Sequence, residues 1–429
     1  MKKPIEKILK NKLISDSFWA LMGNVIFKGL SLLGGILVAR LLGKSVFGEF
    51  SIIKTTFISV AFITTLGFGY TTTKFVADYK KKHPQKLYAI FKFTQKTILI
   101  LTIIAFLIVI LFSKNIAALI LENESMYLYV RLVAILIVLN SLNFLYVGYL
   151  SGLGLFKKMA KINVYIGVIT FILSVSLTYF FSLIGALIAL VIAQSINVFA
   201  NYNLISKNIQ INKTEKDKIL NKKILLYSLP IAIQETVYAI MSWLINFLII
   251  LYVSFGELGM YTAAIQLNAI ILFIPGILRN VVLSHLSKNS DNENSHKTVL
   301  NTILIINILA TLIPCILVFI FSDFVSSFYG STYQGLSDLI EISIFTTVFV
   351  SISNVYVQAY MSKNMNWTML FFRIIRDAGI VLLFIYLINE NKPGASSMIY
   401  SKLILSAIFM IIMVLFYKFK SRSITNERT

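Results

Sequence analysis

Charged side chains inside long apolar stretches are the residues whose chemistry most needs an explanation. Lys28 stands between apolar stretches that are each too short to cross a membrane alone, and it shares a helical face with Asn24, Ser31 and Gly35. A charge at this depth costs about 2.5 to 3.5 kcal/mol, so it normally faces a partner or a water-filled cavity. Lys28 therefore indicates a polar cavity, with a buried structural ion pair as the alternative.

Lys54, Glu235 and Arg279 also lie within or at the edges of apolar stretches. Lys54 and Arg279 can instead extend toward a membrane surface, because long basic side chains bury their stems and keep their charge in water. Glu235 can be solvated at the inner end of its helix. It nevertheless begins a polar stripe that ends in Asn246, and such a stripe is costly to point at lipid.

A cavity lined by three basic groups and one carboxylate has a net positive charge. Such a cavity suits a phosphate or pyrophosphate group, because lysine and arginine attract polyanions strongly in a desolvated cleft. The predicted substrate-binding residues are Lys28, Lys54, Arg279, Asn24 and Asn268.

Catalytic groups are sparse by comparison. His83, His285 and His296 lie in polar connections or at their edges, without an H-E-x-x-H pairing or a carboxylate cluster that would hold a metal. The sequence has no phosphate-binding G-x-x-x-x-G-K-[ST] loop, and its one cysteine, Cys315, lies in an apolar run. We therefore expect no enzymatic activity, no metal and no cofactor.

The elements that position these residues are apolar runs of the length of a membrane helix. Hydrophobic residues make up 58% of the 429 positions and charged residues 13%, which excludes an ordinary soluble protein. In lipid the backbone must satisfy its own hydrogen bonds, so runs of about 20 apolar residues are helices. The predicted fold is an all-α polytopic membrane protein with about twelve spans near 17–39, 48–70, 93–112, 129–150, 162–181, 184–204, 225–252, 258–280, 299–321, 339–361, 374–389 and 396–417.

Basic residues set the predicted orientation. Most of the 39 lysines and arginines fall in alternate connections, which the positive-inside rule assigns to the cytoplasm together with both termini. The net charge of +21 therefore reflects topology, and nucleic acid is not an expected partner. The predicted domains are a first six-helix bundle (1–204), a cytoplasmic loop (205–223), a second six-helix bundle (224–417) and a basic tail (418–429). An offset of 211 residues aligns the halves as a repeat about an axis along the membrane normal.

Three segments resemble signatures of a known family. Arg40–Phe50 is similar to the start of polysaccharide and O-antigen flippases of the Wzx type, as is the glycine-rich turn Gly148–Lys157 after the fourth span. Gly256–Ala264 resembles the signature that opens the second half in that family. The chain departs from the family at Asn246, where members often have an aspartate, and at Leu283–His285, where members often have a proline.

The resemblance implies membership of the multidrug, oligosaccharidyl-lipid and polysaccharide exporter superfamily, with two six-helix bundles around a central cavity and transport by alternating access. It also implies a substrate, an undecaprenyl-pyrophosphate-linked oligosaccharide repeat unit of O-antigen, capsule or exopolysaccharide. We assign ion coupling, by a proton or Na⁺, to Glu235 and Asn246. The expected location is the inner (cytoplasmic) membrane, where membrane lipids, a polysaccharide polymerase and a chain-length regulator are the expected partners.

Other functions remain open at this point. A cation-coupled multidrug exporter of the same superfamily shares the architecture, although cationic drugs favour an acidic cavity. A membrane polysaccharide polymerase or acyltransferase is a third possibility, but polymerases of this size usually have a larger outer loop than residues 113–128 or 322–338 provide. Lipid II is a further possible substrate, typical of members with fourteen spans.

Overall fold

The computed structural model describes residues 12–209, 217–276, 286, 293–363 and 365–426, and every regular element within these ranges is helical. The chain divides into two compact units. The first holds the described residues up to Leu42 and Glu49–Phe247, and the second holds Gly43–Gly48 and the residues from Leu248 onward. The sequence-based division into bundles at 205–223 stays a prediction.

Seven helices lie mainly in the described part of the first unit, and the first and sixth of them are unusually long. The seven are α1 (Lys12–Thr64), α2 (Phe68–Lys82), α3 (Leu87–Leu111), α4 (Ser113–Leu121), α5 (Tyr127–Leu153), α6 (Phe156–Ser206) and α7 (Lys218–Tyr252). The second unit continues with α8 (Phe255–Gln266), α9 (Asn268–Ile271), α10 (Glu293–Ile320), α11 (Ser322–Ser327), α12 (Leu336–Ser362), α13 (Asn366–Asn389) and α14 (Gly394–Asn426).

Single residues divide the two longest helices. Gly43 in α1 has φ 70° and ψ 165°, and Ser182 in α6 has φ 51° and ψ −134°, so the chain turns sharply at each. Gly23–Thr64 and Phe156–Ser206 are among eight described stretches that are long and apolar enough to cross a membrane. They contain 42 and 51 residues, and each supplies two crossings because one crossing takes about 20 residues.

All twelve predicted runs fall on these helices where the structure describes them, and the prediction of an all-α polytopic membrane protein is confirmed. The run 258–280 falls on α8, α9 and residues beyond them, and it lies partly outside the described residues. The run 374–389 falls on α13. This helix also carries an ion pair between adjacent residues, in which Arg376 Nη2 lies 2.6 Å from Asp377 Oδ1.

The connection predicted at 71–92 is largely helical. Helix α2 fills most of it and packs against α5 at glycines that allow close approach. A methyl group added at Gly148 would lie 2.0 Å from the carbonyl oxygen of Gly69. The Thr73 hydroxyl donates to the carbonyl of Gly148 at 2.9 Å, which strengthens the same contact. The glycine-rich segment at 148–154 therefore has a packing role.

Asp217 fixes the start of α7. Its carboxylate accepts a hydrogen bond from the Lys86 ammonium at 2.9 Å and another from the amide of Leu220 at 2.9 Å. The first bond, with help from the second, holds the pKa of the Asp217 carboxyl below its usual range. The side chain therefore caps α7 and joins it to the short turn before α3.

Candidate functional site

Lys54 lies at the centre of a span. The segment of α1 after the Gly43 turn begins at Lys44 and ends at Thr64, so Lys54 is about 15 Å from either end at 1.5 Å per residue. Half of a hydrocarbon layer about 30 Å thick is the same distance. The helix as folded therefore favours a mid-span position for Lys54 over a span that begins beyond it.

Lys54 is also unusual in its exposure. Residues 46–64 are all described, and Lys54 is the only exposed side chain among them. The other residues from 46 to 64 are buried or half-buried, and Lys54 Nζ lies 5.8 Å from the centroid of the Phe50 ring. An exposed lysine at mid-span, on a helical stretch otherwise covered by protein, is the placement expected of a side chain that lines a water-filled space.

Two side chains of α7 bond to the turn of α1 that carries Lys54. The Trp243 indole donates to the Thr56 hydroxyl at 2.9 Å, and the Asn246 amide donates to the Thr55 hydroxyl at 3.2 Å. Each threonine passes its own hydrogen to a carbonyl of the preceding turn at 2.8 Å, so both hydroxyls donate and accept. These chained hydrogen bonds fix the rotation of the helix, and with it the direction of Lys54.

The bond between Asn246 and Thr55 predicts a measurable coupling. Asn246→Ala, Thr55→Val and the double variant should give a coupling free energy of about 0.6 kcal/mol in a thermal unfolding series in detergent, the average for hydrogen bonds between membrane helices. Ser195→Ala is the matched control, because that exposed hydroxyl bonds only to a carbonyl of its own helix. If the changes in unfolding free energy of the two single variants simply add in the double variant, the bond contributes nothing to stability.

The remaining predicted residues of the first unit are Asn24 and Lys28 on α1 and Glu235 on α7. Asn24 accepts a hydrogen bond from the amide of Asn163 at 3.4 Å, which joins α1 to α6. Lys28, one turn further along α1, is exposed, as are the neighbouring aliphatic side chains of Val25 and Ile26. Its assignment to the cavity stays a prediction.

Glu235 lies half-buried on α7, eleven residues and about 16 Å before Asn246. The two residues therefore lie at different depths along one helix, and Asn246 is engaged by Thr55. Their assignment to ion coupling stays a prediction, with Glu235 supplying the carboxylate.

Asn268 marks a break in the helical chain of the second unit. The amide of Leu267 donates to the carbonyl of Ile265 instead of bonding four residues back, so α8 ends and α9 begins there. The Tyr329 hydroxyl donates to the carbonyl of Ala263 at 3.3 Å. Such breaks are tolerated inside a membrane protein where side chains satisfy the freed backbone groups.

Ser343 of α12 completes this arrangement. Its hydroxyl lies 3.2 Å from the carbonyl of Ala264 and 3.3 Å from the Asn268 side-chain oxygen. Asn268 is half-buried, and its assignment to substrate binding stays a prediction. Arg279, the other predicted basic group of this half, lies outside the described residues.

Two contacts were not anticipated from the sequence. The Lys402 ammonium donates to the Tyr261 hydroxyl and lies 4.9 Å from the centre of that ring, so Lys402 pairs inside the second unit. The second contact is the hydrogen bond from the Trp243 indole to Thr56. A tryptophan within an apolar run carries an N–H that needs an acceptor, and this requirement was the signal in the sequence, although only the structure identifies the acceptor as Thr56.

Helices that cross the membrane in pairs, a mid-span lysine on a covered helix and a discontinuous helix define a polytopic α-helical membrane protein. Two solved structures of multidrug resistance MATE family transporters of the MOP superfamily are similar to this chain. The inward-facing one matches with a TM-score of 0.80 at 14% identity, over 95% of this chain and 99% of the other. The outward-facing one matches with a TM-score of 0.72 at 16% identity, over 96% of each chain.

The family follows from the sequence itself. Residues 13–288 match one family model and residues 292–428 match a second, both described as polysaccharide biosynthesis protein. The chain belongs to this family, and its resemblance to the polysaccharide flippases of the exporter superfamily is confirmed. Comparison with curated proteins gives no match.

Proposed function

We propose that this protein is a flippase that moves an undecaprenyl-pyrophosphate-linked oligosaccharide repeat unit from the cytoplasmic to the outer face of the inner membrane. The observation that carries the proposal is Lys54, an exposed cation at mid-span in a member of a polysaccharide biosynthesis family. A pyrophosphate head group is the anionic part of such a substrate, and an ammonium in a cleft attracts it strongly.

The transport cycle is proposed to proceed by alternating access, without covalent chemistry and without a cofactor. The proposed substrate is a precursor of O-antigen, capsule or exopolysaccharide, and both termini are proposed to lie in the cytoplasm. Glu235 is the proposed site of coupling to a proton or Na⁺, because an ionised carboxylate binds either cation. A polysaccharide polymerase and a chain-length regulator are the proposed partners that receive the exported unit.

Deletion of the gene tests this proposal. Surface polysaccharide should be lost, and the lipid-linked repeat unit should accumulate on the cytoplasmic face, because its synthesis continues while its export stops. The unit is measured by mass spectrometry of extracted lipids, with its side of the membrane assigned by access to an added glycosidase. Persistence of surface polysaccharide without accumulation of the intermediate would contradict the proposal.

A second candidate is a cation-coupled multidrug exporter, favoured by the similarity of the fold to multidrug resistance transporters. The exposed ammonium of Lys54 argues against it, because cationic drugs are repelled by a positive group. A drug-sensitivity screen separates the two candidates. Increased accumulation of several cationic drugs on deletion, with surface polysaccharide intact, would favour the exporter.

A further inference from the structure

A groove lies between the first segment of α1 and the first segment of α6, within the first unit. Its volume is about 420 Å³, and its lining includes Leu37 and Arg40 from α1. Val175, Ser176, Tyr179 and Phe180 line it from α6. Both segments end close by, at Gly43 and at Ser182. Since each segment alone has the length of a membrane crossing, the groove opens at a membrane surface.

The rim of the groove has the polar side chains of Arg40 and Tyr179 together with the apolar Leu41 and Phe180, and the lining below is mainly apolar. Arg40 lies three residues before the Gly43 turn, and Tyr179 lies three residues before the Ser182 turn. Leu37 lies about 4.5 Å deeper than Arg40, and Val175 lies about 6 Å deeper than Tyr179, at 1.5 Å per residue. A ligand that fits this gradient has a polar head at the surface and a hydrocarbon chain that enters the membrane.

The groove contains hydrogen-bond donors: Arg40 and Tyr179 lie near the rim, and Ser176 lies one turn below Tyr179. Within the part of the chain that the structure describes, no ion pair or hydrogen bond engages Arg40, the Ser176 hydroxyl or the Tyr179 hydroxyl. Two other basic residues of the first unit are engaged: Arg131 donates to the Ser113 hydroxyl at 2.9 Å, and Lys114 Nζ lies 3.5 Å from a carboxylate oxygen of Glu124. A guanidinium and two hydroxyls that line one groove supply the charge and the hydrogen-bond donors that a phosphate binds.

Aromatic side chains place this rim at the level of lipid head groups. Tyr179, Phe180 and Phe181 are 70%, 72% and 57% exposed, and the first two rings meet edge to face at 5.2 Å. Tyrosine is typical of the interface between membrane and water, where its ring contacts lipid and its hydroxyl contacts water. Rings at this level suit a lipid head group better than a soluble ion.

We propose that this groove binds an anionic phospholipid, with its phosphate on Arg40, Ser176 and Tyr179 and its acyl chain along Leu37 and Val175. The site lies at the membrane surface opposite the amino-terminal end of α1, which is the outer surface in the predicted orientation. It is independent of the proposed transport function. The positive charge of Arg40 selects a head group with net negative charge over a zwitterionic one.

Native mass spectrometry of the purified full chain tests the proposal. The protein in detergent is supplied with phosphatidylglycerol or with phosphatidylcholine of the same acyl chains. Wild-type protein should retain one phosphatidylglycerol at collision energies that remove phosphatidylcholine. Arg40→Gln should lower the retained fraction about tenfold, the loss expected for one charge-assisted contact, and Ser176→Ala with Tyr179→Phe should lower it without removing charge.

Lys114→Gln is the matched control, because it removes one positive charge from an exposed residue outside the groove and should leave retention unchanged. Melting temperatures confirm that each variant is folded. Equal retention by wild type and Arg40→Gln, or equal retention of the two phospholipids, would overturn the proposal. Preferential retention of an added polyprenyl phosphate would overturn it too, by assigning the groove to a different lipid.

Discussion

Replacement of Lys54 by alanine is expected to abolish surface polysaccharide while the protein remains in the membrane. Loss of a charge-assisted contact to phosphate costs about 1.5 to 3 kcal/mol, which lowers affinity roughly 10- to 100-fold. Lys54 is exposed, so its removal leaves the covered helix intact. Complementation of a deletion strain, with the variant and wild type at equal protein levels, measures the effect.

Conservative substitutions separate the charge of Lys54 from its size. Lys54→Arg should retain part of the export because it keeps a cation at mid-span, whereas Lys54→Gln should fail like alanine. Lys92→Ala is the matched control, since Lys92 is an exposed lysine near the start of α3, beside the ring of Tyr88. If Lys54→Ala restores surface polysaccharide fully at wild-type levels, Lys54 does not hold the head group.

The number and position of the spans were predictable because lipid imposes them. A helix that crosses about 30 Å of hydrocarbon needs about 20 apolar residues, and hydropathy measures this directly. The turns at Gly43 and Ser182 lie in the gaps predicted between spans, at 40–47 and 182–183. The break at Leu267 lies inside the predicted run 258–280 and was not predictable in the same way. It depends on one or two backbone dihedrals, which leave no trace in an average over a window of residues.

The uncertainty over Lys54 had the same origin. Hydropathy allowed the second span to begin after Lys54, but the turn at Gly43 starts a helix at Lys44 and places Lys54 at its centre. For Asn246, periodicity identified a polar stripe without revealing the opposing helix. The partner of its amide is Thr55, far away in the sequence, and only the packed structure shows this bond.

The internal repeat was predictable from the sequence as an offset of 211 residues, and in the structure residues related by that offset contact one another. Shifting by 211 residues takes Lys44 to Phe255 and Gly48 to Gly259. A methyl group at Gly48 would lie 1.9 Å from the carbonyl oxygen of Phe255, and one at Gly259 would lie 1.9 Å from the carbonyl oxygen of Lys44. The contact is therefore reciprocal, as in an isologous interface, and all four residues belong to the second unit.

Gly259→Ala is accordingly expected to destabilise the protein by about 1 to 3 kcal/mol or more, because its methyl group meets a backbone oxygen that cannot rotate away. Gly256→Ala is the matched control in the same motif, since the nearest atoms to its methyl group lie at 3.7 Å. That change should be neutral or stabilising by about 0.5 to 1 kcal/mol, because alanine favours a helix over glycine. Melting temperature in detergent and membrane abundance measure both effects, and Gly48→Ala should behave like Gly259→Ala. Equal melting temperatures for Gly259→Ala and Gly256→Ala would show that the two helices do not approach as closely as the 1.9 Å contact requires.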